Sequence, residues 1–226
     1  NKIYLTFNFG EGDNIQYCQH KMRDLWDNPD RGRAPMNWTI SPLLKDVGPA
    51  LLSHYQRTAT ENDLLVAGPS GVAYTYAGMW DEATFPRFTA LTGRYMKATG
   101  LNVIHAFNNV GGSWTPLTEA AGNAYEADTP ALGIFLSWEQ GGHLSRYNGL
   151  PVIGDFAPRG SAEELKAALD EHVKDRDPDE PLFVAFGVHA WSLTPTHIAD
   201  LVDLLPAEYE VVLADVFFDL LRRSAS

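Results

Sequence analysis

Leu182-Phe183-Val184-Ala185-Phe186-Gly187-Val188 decides the fold class. The run is apolar without a break, so a strand made from it has no face to give to water. Such strands belong to sheets covered on both sides. Upstream, Ser161-Ala162-Glu163-Glu164 opens a helix, with Ser161 and Glu164 spaced as a capping box. Downstream, Thr194-Pro195 opens another that is predicted to reach residue 205. A covered strand between two helices is the unit of a parallel α/β sheet.

The unit repeats along the chain. Further strands are predicted over residues 3–9, 35–40, 63–67, 101–107, 131–138, 151–156 and 210–213. Further helices are predicted over 14–26, capped by Asp13 or Asn14, over 41–57, with Ser41 as cap and Pro42 in the first turn, over 82–98, closed by Gly100, and over 216–222. About eight strands and six or seven helices in β-α order predict an α/β fold: a barrel-like (β/α) arrangement of seven or eight strands, mainly parallel, spanning residues 1–226 as one domain.

Composition narrows the partners. The chain has 226 residues, 45% hydrophobic and 20% charged, which supports a sizeable core and is not a disordered composition. Its net charge is −12, from 17 Lys+Arg against 29 Asp+Glu. That balance argues against a nucleic-acid footprint and against docking on an anionic membrane. No apolar run reaches the ~20 residues that span a bilayer, so no membrane insertion is expected. Cys18 is the sole cysteine, which rules out an internal disulfide framework and a multi-cysteine zinc site. It is read as a structural thiol of the first helix. The chain starts at Asn1 and shows no signal peptide, so a processed or excised piece of a longer protein is expected.

The unusual residues follow the strands. They are Glu11 and Asp13, Ser41, residues 68–76, 105–114 and 138–143, Asp155, and His189 with Trp191. Ligands of barrels and open α/β sheets gather on the carboxyl side of the strands, so the site is expected there. Gly10-Glu11-Gly12-Asp13-Asn14 sets two carboxylates in a tight turn. They could hold a metal, a sugar hydroxyl or a catalytic water, or Asp13 could simply cap a helix. Residues 68–76 combine glycines with Ser70, Tyr74 and Tyr76. Tyrosines in a cleft stack on sugars, and in a plain loop they pack into the core. In Trp138-Glu139-Gln140-Gly141-Gly142-His143, Glu139 is either a general acid raised by its apolar neighbour or a solvent-facing side chain. His189 and His105 each end a strand, a place suited to proton transfer or ligation. His20, His54, His172 and His197 fall in predicted helices and are read as structural or solvated. No HxxxH, HExxH, GxSxG or dinucleotide GxGxxG motif is present, so no metal and no cofactor is assigned.

Gly71-Val72-Ala73-Tyr74-Thr75-Tyr76-Ala77 resembles the signature of the GxGYxYP family of glycoside hydrolases, with Ala73 at its second Gly and Ala77 at its Pro. Residues 9–14, 31–35, 38–42 and 138–142 also resemble that family, so the likeness spans nearly the whole chain. It implies the C-terminal, barrel-like domain of a larger protein, bacterial and extracellular or in the cell envelope, whose partner is a missing N-terminal domain. A second likeness, to polysaccharide deacetylases, lies in residues 3–7, 188–191, 194–205 and 209–213. It implies a related barrel, but Asn8 stands at the family's Asp and the HxxxH pair is missing.

The function expected is glycosidic-bond hydrolysis by paired carboxylates on a carbohydrate or other small polar substrate. Asp13 is expected as base or nucleophile, Glu139 as general acid, and His189 as the group orienting a carboxylate. Tyr74, Tyr76, Trp38 and Trp191 are expected to line sugar subsites, with Glu11, Asn14, Ser70, His105 and Trp138 also on the substrate. The alternatives are a metal-dependent deacetylase, with Asp13 and His105 or His189 as ligands, and a non-catalytic carbohydrate-binding domain.

Overall fold

In the computed structural model, which describes residues 2–11, 15–137 and 141–224, the run that decides the fold is strand β10 (Leu182–Val188). It lies parallel to β1 (Ile3–Phe9), in register from Ile3 opposite Leu182 to Phe9 opposite Val188. From β1 the sheet continues in parallel through β2 (Met36–Ile40), β3 (Asp63–Ala67), β4 (Ile104–Phe107), β7 (Ile134–Ser137) and β9 (Leu150–Gly154). The short hairpin β5 (Asn109–Val110) and β6 (Ser113–Trp114) stands apart. Strand β8 (Leu144–Tyr147) pairs antiparallel with β9, and β11 (Tyr209–Val211) pairs with the start of β1. Just beyond β9, Phe156 donates its N–H to Ala185 (2.8 Å), and its carbonyl accepts from Gly187 (2.9 Å). The two ends of the parallel path thus meet at one residue rather than along a ladder, which makes the sheet barrel-like.

Register decides what faces inward. Tyr4, Thr6 and Asn8 lie opposite Phe183, Ala185 and Gly187, and Asn8 also lies opposite Asn37. His105 and Phe107 lie opposite Phe135 and Ser137, and Phe135 opposite Ile153. Near the strand starts this inner face is apolar and is plugged by α9 (Ala214–Arg223). Ala214, Phe217, Phe218 and Leu221 form one buried stripe at helical spacing. Phe218 packs on Phe135 (4.8 Å) and Phe217 on Phe183 (5.5 Å). Gly133 is required beneath it, because a Cβ there would overlap the Phe218 ring. The Asn37 carboxamide accepts from the first N–H of α9 (2.8 Å). With that end filled, only the carboxyl ends of the strands are left to hold a site.

The outer face, with Ile3, Leu5, Phe7 and Phe9, is covered by helices. The predicted helix over 14–26 is two, α1 (Ile15–Gln19) and α2 (Lys21–Trp26), broken at His20, which therefore lies between helices. The predicted helix over 41–57 is also two, α3 (Leu44–Val47) and α4 (Pro49–Thr58). Pro49 has no N–H with which to continue α3 and opens α4 instead. Helix α5 (Phe85–Thr99) ends at Gly100, whose φ of +75° suits glycine. Helix α6 (Glu119–Asp128) was not expected from the sequence. Helix α7 (Ala162–Val173) carries the expected Ser161–Glu164 capping box, and α8 (Pro195–Asp203) follows β10. Cys18 is wholly buried. No helix of the described residues is long and apolar enough to cross a membrane.

Candidate active site

A small cleft, open to solvent, lies at the carboxyl ends of five strands. Asn8, Gly10 and Glu11 come from β1 and its exit, Phe107 from β4, Ser137 from β7, Asp155 and Ala157 from the exit of β9, and Gly187, Val188 and His189 from β10. Two bare glycines open its floor. A Cβ on Gly10 would come within 2.7 Å of His105 Cε1, and one on Gly187 within 2.6 Å of Asp155 Oδ2.

Behind the floor runs a buried relay. Ser137 Oγ donates to Asp155 Oδ2 (2.5 Å) and is in contact with His105 Nε2. A serine hydroxyl has one proton, so Ser137, having given it to the carboxylate, accepts at Nε2. The other ring nitrogen, Nδ1, is buried without a partner. His105 and Asp155 themselves stand 3.8 Å apart, so Ser137 links them. The carboxylate that reaches the cleft is thereby held in one orientation.

His189 sits at the rim, half-buried, with Nδ1 3.0 Å from Ser192 Oγ. Burial first, and then the Arg159 charge, hold its pKa below the ordinary 6.5, against the opposing pull of Glu11. It is a neutral imidazole at pH 7, able to accept a proton or orient a carboxylate.

Phe107 connects the cleft to an aromatic shelf. Tyr74 packs edge-on against it (5.5 Å), as does Trp114 (6.0 Å), and Tyr76 contacts both Tyr74 (5.4 Å) and Trp114 (6.2 Å). The hydroxyls of Tyr74 and Tyr76 lie 2.5 Å apart. Tyr74 is 47% exposed and Trp114 40%. Asn108, buried below, fixes the shelf by accepting from Gly78 N–H (2.8 Å) and donating to the carbonyl of Pro116 (2.8 Å).

The predicted site residues divide accordingly. Glu11 and His189 line the cleft, His105 lies behind its floor, and Tyr74 and Tyr76 belong to the shelf. Trp191, 53% exposed, rests edge-on against Tyr17 (5.8 Å). Ser70 is enclosed and does not line the cleft. Its hydroxyl donates to Thr75 O (2.7 Å) and accepts from Phe107 N–H (2.9 Å), fastening the loop to β4. Trp38 is no sugar subsite. It is wholly buried on the outer face, stacked on Phe9 (4.4 Å), edge-on to Trp26 (5.2 Å), with its indole N–H on Asp63 (2.9 Å). Strand alternation turns Asn37 and Thr39 inward and Trp38 outward. Asp13, Asn14, Trp138 and Glu139 lie outside the described residues; along the sequence Asp13 is two residues beyond Glu11, and Glu139 two beyond Ser137. Asn8, Ser137, Asp155, Phe107 and Trp114 were not among the predicted site residues, although Phe107, Asp155 and Trp114 fall in the strand-end stretches noted as unusual.

Among the described residues, no three His, Cys, Asp or Glu side chains gather as a metal site, and His105 Nε2 is committed to Ser137. The described residues thus offer no ready-made set of metal ligands.

The sequence model described as "GxGYxYP putative glycoside hydrolase C-terminal domain" matches residues 1–222. No curated protein sequence matches the chain. Among solved structures, a "putative hydrolase" from Bacteroides thetaiotaomicron VPI-5482 is similar with a TM-score of 0.85 and 27% identity, over 99% of this chain and 46% of that one. This chain therefore spans about half the length of that protein. A "putative polysaccharide deacetylase" from Mycobacterium smegmatis is similar in fold (TM-score 0.63, 8% identity, 99% of this chain and 91% of that one). So is 4-alpha-glucanotransferase from Thermococcus litoralis (TM-score 0.57, 9% identity, 97% and 40%). With a family match over nearly its whole length, the chain belongs to the GxGYxYP C-terminal domain family of that description.

Proposed function

We propose that the protein is a carbohydrate-active hydrolase that cleaves glycosidic bonds with paired carboxylates. The observation that carries this reading is the junction, through Phe107, of a cleft containing Glu11 and Asp155 with an exposed aromatic shelf. Sugars present apolar ring faces and a polar rim. Aromatic side chains bind the faces, and fixed hydrogen-bonding groups read the rim. In this reading Tyr74, Tyr76 and Trp114 hold one sugar and the cleft holds its neighbour, so that the bond between them lies near Phe107.

Asp13 is the base or nucleophile and Glu139 the general acid of the proposal. Both follow cleft-lining residues in the sequence, which supports their assignment. Asp155, held by Ser137, accepts a sugar hydroxyl, and neutral His189 orients a carboxylate. Extracellular or cell-envelope placement, where polymeric glycans are met, belongs to the same proposal.

The test is a turnover screen of wild type, Asp13→Asn, Glu139→Gln and Asp155→Asn on oligosaccharides and acetylated glycans, with and without a chelator. The reading expects glycosidic cleavage that survives the chelator and falls by about 10²–10⁴-fold in Asp13→Asn and Glu139→Gln. Acetate release abolished by the chelator would replace it with a deacetylase. Sugar binding that persists in all three variants, with no turnover in the wild type, would replace it with a binding domain.

A further inference from the structure

The inner polar side chains beside Asn8 on β1 and β2 are satisfied. Asn37 Nδ2 donates to Thr6 Oγ1 (2.8 Å) and to the Phe7 carbonyl (2.7 Å), and Asn37 Oδ1 accepts from Ala214 N–H (2.8 Å). Thr39 Oγ1 donates to the Phe9 carbonyl (2.7 Å). Asn8 differs. It is 1% exposed, and neither Oδ1 nor Nδ2 has a partner. It nevertheless lines the cleft, and the residue opposite it in β10 is Gly187, which brings no side chain. A buried carboxamide without partners carries an uncompensated desolvation cost. A fold that satisfies its neighbours and leaves this amide bare at the floor of a cleft has kept it for a ligand.

We propose that Asn8 is a substrate-binding residue that grips the hydroxyl edge of a neutral sugar, donating from Nδ2 to one hydroxyl and accepting at Oδ1 from the next. This rests on the carbohydrate reading above and specifies it. An amide carries donors and an acceptor together, as adjacent hydroxyls do, whereas a lone carboxylate or ammonium offers only one kind. Glu11 and Asp155 share the cleft and the chain carries a net charge of −12, so a uronate ring would be repelled and a neutral one admitted.

The test compares wild type, Asn8→Leu and Asn8→Ala by thermal unfolding and calorimetric titration. The probes are cellotriose, maltotriose, xylotriose and trigalacturonate. Without sugar, the leucine variant is expected to unfold at or above the wild-type temperature, because it removes an unsatisfied buried amide. Wild type is expected to bind at least one neutral trisaccharide in preference to trigalacturonate. Both variants are expected to bind that sugar about 10- to 100-fold more weakly, the effect of losing two hydrogen bonds. The alanine variant, which can introduce no clash, separates lost recognition from distortion by leucine. Undiminished affinity in the variants overturns the role of Asn8 and leaves the carbohydrate reading standing. A preference for trigalacturonate overturns the neutral-sugar assignment. Failure of wild type to bind any of the four overturns this inference through its premise, and the carbohydrate reading with it.

Discussion

Replacing Gly187 with alanine adds a single methyl group to the floor of the cleft. The backbone at this position is not left-handed, so any residue can adopt it and only space is at issue. The new Cβ would lie 2.6 Å from Asp155 Oδ2, 2.9 Å from its Cγ and 3.1 Å from Ala157 Cβ. Ordinary contact begins near 3.4 Å, so the carboxylate has to retreat by about 0.8 Å. Its bond from Ser137 is only 2.5 Å long and does not survive such a shift unchanged. A displacement of about 1 Å in a functional group costs on the order of 100-fold in rate, and that is the loss expected in kcat on an oligosaccharide cleaved by the wild type. Overpacking also costs about 1–3 kcal/mol of stability. For a chain of this size each kcal/mol lowers the unfolding temperature by about 2–4 °C. Turnover and thermal unfolding are therefore measured on the same preparation. Wild-type turnover alongside a lowered unfolding temperature would show that the position of Asp155 does not matter to the reaction, and would refute its role. Wild-type values of both would refute the packing as well.

Other changes test other parts of the molecule. Gly133→Ala, which drives a methyl group into the Phe218 ring, is expected to cost about 1–3 kcal/mol, and Phe218→Ala about 3–5 kcal/mol. Because the two side chains contend for one space, the double variant should be more stable than the sum of the single costs implies, and strict additivity in urea unfolding would count against the plug. His172, by burial, and His189, by burial and then Arg159, are held below pKa 6.5. The unfolded chain binds their protons more tightly, so the stability they contribute is complete above about pH 6.5 and is lost as pH falls below it. In an NMR titration Arg159→Gln should raise the His189 midpoint and Glu11→Gln lower it; a midpoint that moves in neither variant removes those charges from the account. Ser161→Ala breaks the capping box of α7 and is expected to cost about 1 kcal/mol, read by chemical denaturation, and an unchanged midpoint would contradict it.

Local rules carried the frame. The strand over 182–188 was legible because both its faces are covered, and the start of α7 because its cap lies within four consecutive residues. Helix α6 was not legible. Its buried face is Ala121, Gly122 and Tyr125, and Gly122 lies so close under the Tyr147 ring that no larger residue fits. A helix that packs through small residues leaves no apolar period to read. Trp38 shows the corresponding limit for strands. Its sequence context marks a strand, but which alternate residues face inward is set by neighbours from elsewhere in the chain. The relay of His105, Ser137 and Asp155 is less visible still. Two strands and the exit of a third contribute one residue each, separated by 32 and 18 positions, and only the order of strands in the sheet brings them together.

Strand β1 lies between β2 on one side and β10 on the other, with β11 against its first residues. Its near partner follows within one β-α unit, but the others come from the last quarter of the chain, and the α9 plug later again. High contact order of this kind delays the reward for closing the largest loops. During synthesis, a nascent chain lacking residues 182–223 has its first strand half-paired and the side chains of Phe135 and Val103 open to water. Folding of this unit is therefore a late, concerted event rather than a progressive one. Premature termination ahead of β10 is expected to yield not a smaller version of the fold but an aggregation-prone sheet, with β1 unpaired along one edge and its interior exposed.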